Sequence, residues 1–239
     1  MADRETLYGK TPEELAALCG GMGMPRFAAR QIARWLYVRH TEDPLLMTDI
    51  AAAHRQRLAE RFAPAFNAPE RVTESADGTK KYLFRIPGGH AVESAYIPDG
   101  ERATLCVSSQ AGCRMGCKFC ATGRQGLQRS LTAAEILNQI VSLPERDKLT
   151  NIVFMGMGEP LDNTGEVLRA LEILTAEWGF GWSPTRITLS TAGVVPELRR
   201  FLDATKVHLA VSLHNPFHEE RAEIMPVEQI GRASCRERV

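Results

Sequence analysis

The sequence predicts an α/β protein built on a parallel sheet and preceded by a helical accessory unit. Two observations carry the main domain. From Ala103 onward, short apolar runs alternate with longer amphipathic ones, and strand–helix alternation implies a parallel sheet with right-handed crossovers. Residues 71–97 hold three further β-rich runs parted by turn residues, which predicts an antiparallel extension leading into that sheet. A third observation sets the N-terminal unit apart: residues 1–70 carry helix signals. Alternation alone does not distinguish a closed barrel from an open sheet.

The elements follow in order. Thr11-Pro12-Glu13-Glu14 combines a capping residue, a proline at the first helical position and a glutamate at the third, the signature of a helix start. Gly20-Gly21 should end that helix. A second helix is expected from about Pro25, with Ile32, Trp35 and Leu36 as its apolar stripe. Arg26, Arg30, Arg34 and Arg39 fall mostly off the stripe. They suit either a solvated face or contacts to phosphates. A third, arginine-rich helix is expected over 48–62. Pro64 and Pro69 mark a linker. Strands are expected over 71–75, 80–86 and 91–97, turned by Asp77-Gly78 and Pro87-Gly88-Gly89. The main domain then reads as strand 104–108, a cysteine loop, and a helix opened by the capping box Thr132-Ala133-Ala134-Glu135. Strand 151–155, helix 166–178, strand 186–190, helix 196–202 and strand 207–213 follow. The domains expected are therefore 1–70, 71–102 and 103–228, with a tail at 229–239.

Composition bounds the function. The chain has 239 residues, 44% apolar and 24% charged, ordinary for a globular protein. Basic and acidic residues balance at 29 each, which excludes a strongly cationic nucleic-acid binder. Any RNA contact must come from local patches. No apolar run approaches membrane-spanning length and the N-terminus lacks the apolar core of a signal peptide. A cytoplasmic protein without membrane association is expected. Six cysteines, three of them clustered, then suggest a metal or redox site.

That cluster is Cys113-Arg114-Met115-Gly116-Cys117-Lys118-Phe119-Cys120. Such spacing lets one short loop turn three thiolates toward a common centre, and thiolate is the ligand of iron–sulfur clusters. A four-iron cluster normally takes four cysteines, so three leave one iron open. The alternative is structural zinc, which wants four ligands and for which Cys106 is near enough in sequence to be the fourth. Zinc knuckles usually come as two CxxC pairs, and here only Cys117/Cys120 forms one. A disulfide knot is disfavoured because nothing marks the chain as secreted.

The CxxxCxxC spacing with an aromatic before the last cysteine resembles the radical S-adenosylmethionine (SAM) superfamily. The longer run Thr-Leu-Cys-Val-Ser-Ser-Gln-Ala-Gly-Cys-Arg-Met-Gly-Cys-Lys-Phe-Cys-Ala-Thr, residues 104–122, resembles its RNA adenine C2-methyltransferase branch, which acts on 23S rRNA and tRNA. The resemblance runs from the N-terminal helices to about Val227. It implies a partial (β/α) barrel and a [4Fe-4S] cluster on Cys113, Cys117 and Cys120, with SAM on the open iron. By the same resemblance Gly158 and Glu159 bind the aminoacyl part of SAM, and Ser190, Ser212, Leu213 and His214 are further SAM contacts. On the residues alone, Gly-Met-Gly-Glu-Pro is equally a tight turn, and a serine on a strand is usually structural.

Two catalytic roles come from the resemblance only. Glu93 matches a proton acceptor; without the family it reads as a surface carboxylate on a strand. Cys106 otherwise reads as a buried strand cysteine. In the family the matching thiol attacks a methyl-carrying cysteine near the C-terminus, releases product and leaves a transient disulfide. Partners implied are an electron donor such as flavodoxin and the two RNAs, with the protein a monomer. A C8-methylating resistance relative and a zinc-stabilised RNA-binding module without catalysis are the rival readings. Residues 229–239, from Gln229-Ile230-Gly231 on, resemble a translated sequencing-library adaptor. The methyl-carrying cysteine and a last SAM-site asparagine are not in this chain, so as written it is expected not to complete methyl transfer.

Overall fold

The computed structural model describes residues 5–41, 43–64 and 66–228; the expected non-native tail lies outside the described residues. The helical unit forms as its caps dictate. Helix α1 spans Pro12–Gly21, with the Glu14 amide donating to Thr11 Oγ1 at 3.4 Å and the Thr11 amide donating to Glu14 Oε2 at 2.9 Å. It ends at the glycine pair. Helix α2, Ala28–Ala33, continues as a π-helical turn over Arg34–Val38, starting three residues later than the proline suggested. Ile32 and Leu36 are buried, Trp35 is half-buried, and Arg26, Arg30, Arg34 and Arg39 are exposed. The Arg39 guanidinium lies 4.0 Å from the Trp35 ring centroid. Helix α3 is Ala52–Arg61, shorter than expected. A 3₁₀ turn over Pro44–Leu46, capped by Asp43 accepting from the Leu45 amide at 2.8 Å, occupies the chain just before Thr48, and Ala51 is extended.

The extension forms a meander of β1 (Arg71–Glu74), β2 (Lys80–Arg85), β3 (Ala91–Asp99) and β4 (Arg102–Cys106), antiparallel throughout. A hairpin of β5 (Gln110–Cys113) and β6 (Gly126–Ser130) follows, with a one-turn helix α4 (Ala121–Arg124) in its loop. Then come α5 (Ala133–Val141), β7 (Asn151–Phe154), α6 (Thr164–Thr175), β8 (Ile187–Thr191), α7 (Val195–Ala204), β9 (His208–Val211) and α8 (His218–Ile224). Strands β4, β7, β8 and β9 are parallel and neighbour one another in chain order, completing a seven-stranded sheet β1-β2-β3-β4-β7-β8-β9. Parallel strands in chain order with a helix in each crossover build the wall of a (β/α) barrel, here a partial one of four strands.

Side chains alternate across the sheet. Leu105, Ile152, Phe154, Ile187 and Leu189 are buried toward the helices, against Leu137, Val167, Leu171 and Phe201. The opposite face is left open. The helical unit shares this core: Tyr37 meets Trp178 at 5.8 Å between ring centroids, and Tyr8 meets Phe66 edge-on at 4.8 Å. Gly9, at φ +83°, lets the backbone come so near the α5 start that a Cβ would lie 2.7 Å from the Ala134 nitrogen. Two elements depart from the sequence reading. The stretch after Cys106 is a hairpin, not a plain loop, and α8 was not anticipated.

Candidate active site

The open face gathers the half-buried residues of the sheet. Ala95, Cys106, Val153, Thr188 and His208 stand in one cross-strand row. Strand residues two apart share a face, so Glu93 and Ser190 project on the same side one step nearer the C-terminal ends of the parallel strands. Ser212 follows β9; its amide donates to the Thr191 carbonyl at 2.9 Å and its hydroxyl lies 3.4 Å from that of Ser190. Glu93 pairs with Lys81 at 3.1 Å and remains partly exposed. Ser108 Oγ donates to the Glu93 carbonyl at 2.5 Å. Burial pushes the Cys106 thiol above its ordinary value, offset in part by a hydrogen bond with the Met155 backbone.

The three-cysteine loop sits over those strand ends on the β5–β6 hairpin. Cys113 closes β5; Gly112 before it has φ +73°, at a bulge where a Cβ would fall 1.9 Å from the Gly126 carbonyl oxygen. The Cys120 amide donates to the Cys117 carbonyl at 3.1 Å, turning the loop into α4. The Phe119 ring meets that of His214 at a tilt, 4.6 Å between centroids; His214 has φ 56°, and the loop thus reaches across to the end of β9. Cys113, Met115, Ala192, Met225 and Val227 form a small buried cluster of their own, with Cys117 against it.

All five described cysteines are free thiols. Burial, opposed by a Met115 backbone hydrogen bond and aided by Glu159, Cys117 and Cys120, pushes the Cys113 thiol up to about 11. Burial likewise raises Cys117, with Cys120 adding to the effect. Cys117 and Cys120 thus lie within electrostatic reach of Cys113. Such a donor set resists deprotonation until a cation arrives, and metal binding then releases protons. Among the described residues no group of three or more His, Cys, Asp or Glu side chains is arranged to hold a metal ion. The donor set fits a cluster in kind and number. Cys106 belongs to the sheet row rather than to the hairpin, as its pairing with Ala95 and Val153 shows.

The 156–159 loop serves packing first. Its Met157 carbonyl accepts from the Ser109 and Gln110 amides at 2.9 and 3.2 Å, and its Met157 amide donates to Ser108 Oγ at 2.8 Å. A Cβ at Gly156 would meet the Val107 carbonyl at 2.7 Å, and one at Gly158, φ +100°, would meet Gln110 at 2.6 Å. Glu159 is 4% exposed. Its carboxylate accepts from Thr191 Oγ1 at 2.6 Å, the Ala192 amide at 2.8 Å and the Leu161 amide at 3.0 Å. Burial nonetheless raises it above an ordinary carboxyl, these three bonds offsetting part of the effect and Asp162 adding to it. Here the carboxylate ties the β7 loop to the β8 end. Leu213 and His214, after β9, are exposed.

The structure thus brings Glu93, Cys106, Ser190, Ser212, the 156–159 loop and the cysteine hairpin to one end of one sheet face. Sequence reasoning missed two polar groups that hold this end together, Gln110 and Arg221. Gln110, fully buried, accepts from the Glu159 amide at 2.9 Å and donates to Asp162 at 2.8 Å. No spacing signal marked either residue.

Comparison with known proteins places these parts. Residues 107–238 match the family model of the radical SAM superfamily, and residues 6–63 match that of the ribosomal RNA large subunit methyltransferase N-terminal domain. A probable dual-specificity RNA methyltransferase RlmN of Bacteroides fragilis is 55% identical over 93% of this chain. One of Parabacteroides distasonis is 53% identical over 96% of the chain. The chain spans 65% of the first relative's length and 67% of the second's. A crystal structure of a radical SAM methyltransferase from Sphaerobacter thermophilus superposes with a TM-score of 0.85 at 40% identity, covering 95% of this chain and 68% of that one.

Proposed function

We propose, for a chain that belongs to the radical SAM superfamily and within it to the RlmN RNA methyltransferase family, that the site works in methylation of adenine C2 in 23S rRNA and tRNA, with two SAM consumed per methyl group. The family implies a [4Fe-4S] cluster and SAM as cofactors. When bound, they supply the 5′-deoxyadenosyl radical that abstracts hydrogen from a protein-borne methyl group. The observation that carries the reading is the single polar face at the strand C-termini, where (β/α) proteins gather their ligands, lying under a loop of three thiols.

The chain's own residues divide the work. Cys113, Cys117 and Cys120 hold the cluster. The 156–159 loop, Ser190, Ser212, Leu213 and His214 cradle SAM; glycine at 156 and 158 lets the loop approach the sheet as side chains could not. Glu93 takes a proton from the adenine ring. Cys106 then forms an S–S bond with the methyl-carrying cysteine, which this sequence does not contain, as that sulfur's bond to the transferred carbon breaks; the carbon takes up a proton and the product is freed. The raised Cys106 thiol stays protonated at neutral pH until a base takes the proton, which keeps it from premature exchange. The enzyme is read as a cytoplasmic monomer served by an electron donor such as flavodoxin. Among the described residues no helix is long and apolar enough to cross a membrane.

Anaerobic reconstitution with iron and sulfide tests this. A reduced cluster whose EPR signal changes on adding SAM is expected. Stoichiometric zinc without iron would instead support the RNA-binding module. For a form of the enzyme that carries the methyl-bearing cysteine, digestion of the modified RNA and mass spectrometry separates 2-methyladenosine from the 8-methyl product of the resistance relatives.

A further inference from the structure

Arg221 is the largest fully buried side chain outside the apolar core, 2% exposed on the short helix α8. Its guanidinium is nearly saturated. Nε donates to the Leu213 carbonyl at 2.9 Å, and Nη2 donates to the Ala192 and Ser212 carbonyls at 2.6 and 3.0 Å. Nη1 donates to Glu228, which is itself buried and which His218 meets at 2.9 Å. Three of the five donors of a planar fork therefore reach the ends of β8 and β9, and a fourth reaches Glu228.

The peptide at Ala192 is held from both sides. Its N–H donates to Glu159 and its C=O accepts from Arg221. Two buried charges of opposite sign thus tie three consecutive strand ends: β7 through Glu159, β8 through Thr191 and Ala192, and β9 through Ser212 and Leu213. The tie ends beside His214, one of two non-glycine residues with positive φ among the described residues. Strain of that kind persists only where the surroundings over-determine it. The same strap reaches the cysteine hairpin, since the Lys118 amide donates to the Ile224 carbonyl at 3.0 Å and Met225 and Val227 pack on Cys113 and Met115.

A buried ion pair is a poor source of stability compared with an apolar filling of the same volume. What the guanidinium supplies is geometry. We propose that Arg221, braced by Glu228, is a positioning residue that sets the spacing of the β8 and β9 ends and thereby preorganises the SAM site. The inference rests on the SAM reading given above, and it adds to that reading a residue that does not touch the cofactor.

The test compares wild type with Arg221→Lys, Arg221→Ala and Glu228→Gln in the full chain, with two readouts. Hydrogen exchange on the cofactor-free proteins is expected to quicken at residues 190–193 and 211–214 and to stay unchanged at 71–99. After reconstitution, SAM affinity is expected to fall at least tenfold in the Arg221 variants at unchanged iron content, and added guanidinium ion should restore part of it to Arg221→Ala. A lysine keeps the charge but concentrates its donors at one point, so it should not rescue. Unchanged SAM affinity in a folded, iron-loaded Arg221 variant overturns the proposal. So does exchange that quickens evenly across the whole sheet. Should both Arg221 variants fail to fold, Glu228→Gln decides by the same two readouts, with a smaller effect expected. A wild-type protein that takes up iron but no SAM would sink the function proposed above, and the exchange pattern would still decide whether the clamp exists.

Discussion

At Gly158 one methyl group tests how tightly the loop is built. Alanine there combines φ +100° with a Cβ placed 2.6 Å from Gln110. Gly158→Ala should cost about 2–4 kcal/mol from backbone strain and overpacking, read as a lower melting temperature. Gly165 is the control: nothing lies within 4 Å of its Cβ position on α6, and alanine there should add about 0.5 kcal/mol. A second residue-scale prediction concerns Cys106. Burial raises its thiol, so thiolate is scarcer at neutral pH than for an ordinary cysteine. Iodoacetamide labelling at Cys106, followed by mass spectrometry, should have its pH midpoint above 9.0, the ordinary value; a midpoint below it would contradict the buried setting. At this scale the sequence located residues better than it described their surroundings. The cysteine spacing marked a three-thiol loop without showing the hairpin that carries it, and Glu159 stood out by its place after an apolar strand. That its carboxylate would be turned inward onto Thr191 and Ala192 was not readable, because those partners lie 32 and 33 positions away. Arg221 was illegible for the same reason: only tertiary contact shows which arginine of a charged run is buried.

Between elements, the antiparallel extension is pinned to the main domain by Glu145, which follows α5. It accepts from Lys80 Nζ at 2.7 Å and from the Tyr82 hydroxyl, both on β2. Burial alone would raise this carboxyl, but the Lys80 and Tyr82 hydrogen bonds outweigh it and leave the group below the ordinary 4.5. A carboxyl lowered in the folded state contributes stability that is present above its unfolded value and lost as pH falls through its folded one. Glu145→Gln should therefore destabilise by about 1–3 kcal/mol at pH 7. The gap to wild type should close below about pH 4.5 in urea titrations. A gap that stays constant with pH would mean the charge is not what matters. Element existence was legible where local chemistry is self-contained. Both capping boxes form as written, and each expected strand from 71 onward appears within a few residues. The β5–β6 hairpin was not legible because Gln110-Ala111-Gly112-Cys113 has no β-branched residue. Its pairing is imposed by a bulge at Ala111/Gly112, where Gly112 comes close to the Gly126 carbonyl, and by the Met157 carbonyl accepting from the Ser109 and Gln110 amides.

For the molecule as a whole, alternation of strands and helices specified a parallel sheet but not its curvature, and it gave no sign that the N-terminal helices would join the same core. The residues that join them are scattered in sequence and meet only in space. Tyr37 touches Tyr8 at 5.3 Å, Trp178 at 5.8 Å and Phe180 at 6.3 Å, and its hydroxyl donates to the Lys10 carbonyl at 2.6 Å. Arg169 of α6 pairs with Glu14 of α1 at 2.9 Å, and the Asn138 side chain exchanges hydrogen bonds with the Asn67 backbone at 2.8 and 3.0 Å. Buried residues from Leu7 to Val207 form one continuous apolar cluster. A unit sharing its core with a neighbour has no independent interior to hold it folded, so the two should unfold together. Calorimetry should show one transition whose calorimetric and van't Hoff enthalpies agree. Tyr37→Ala should lower that single transition by roughly 3–5 kcal/mol, as for other large aromatics removed from a core. If the N-terminal unit instead melted alone, Tyr37→Ala would move only a small early transition, and far-UV circular dichroism would change before the near-UV signal of the barrel's tryptophans. That result would make the helical unit a docked module rather than part of the barrel's core, and its exposed arginines a mobile surface rather than one fixed relative to the cysteine hairpin.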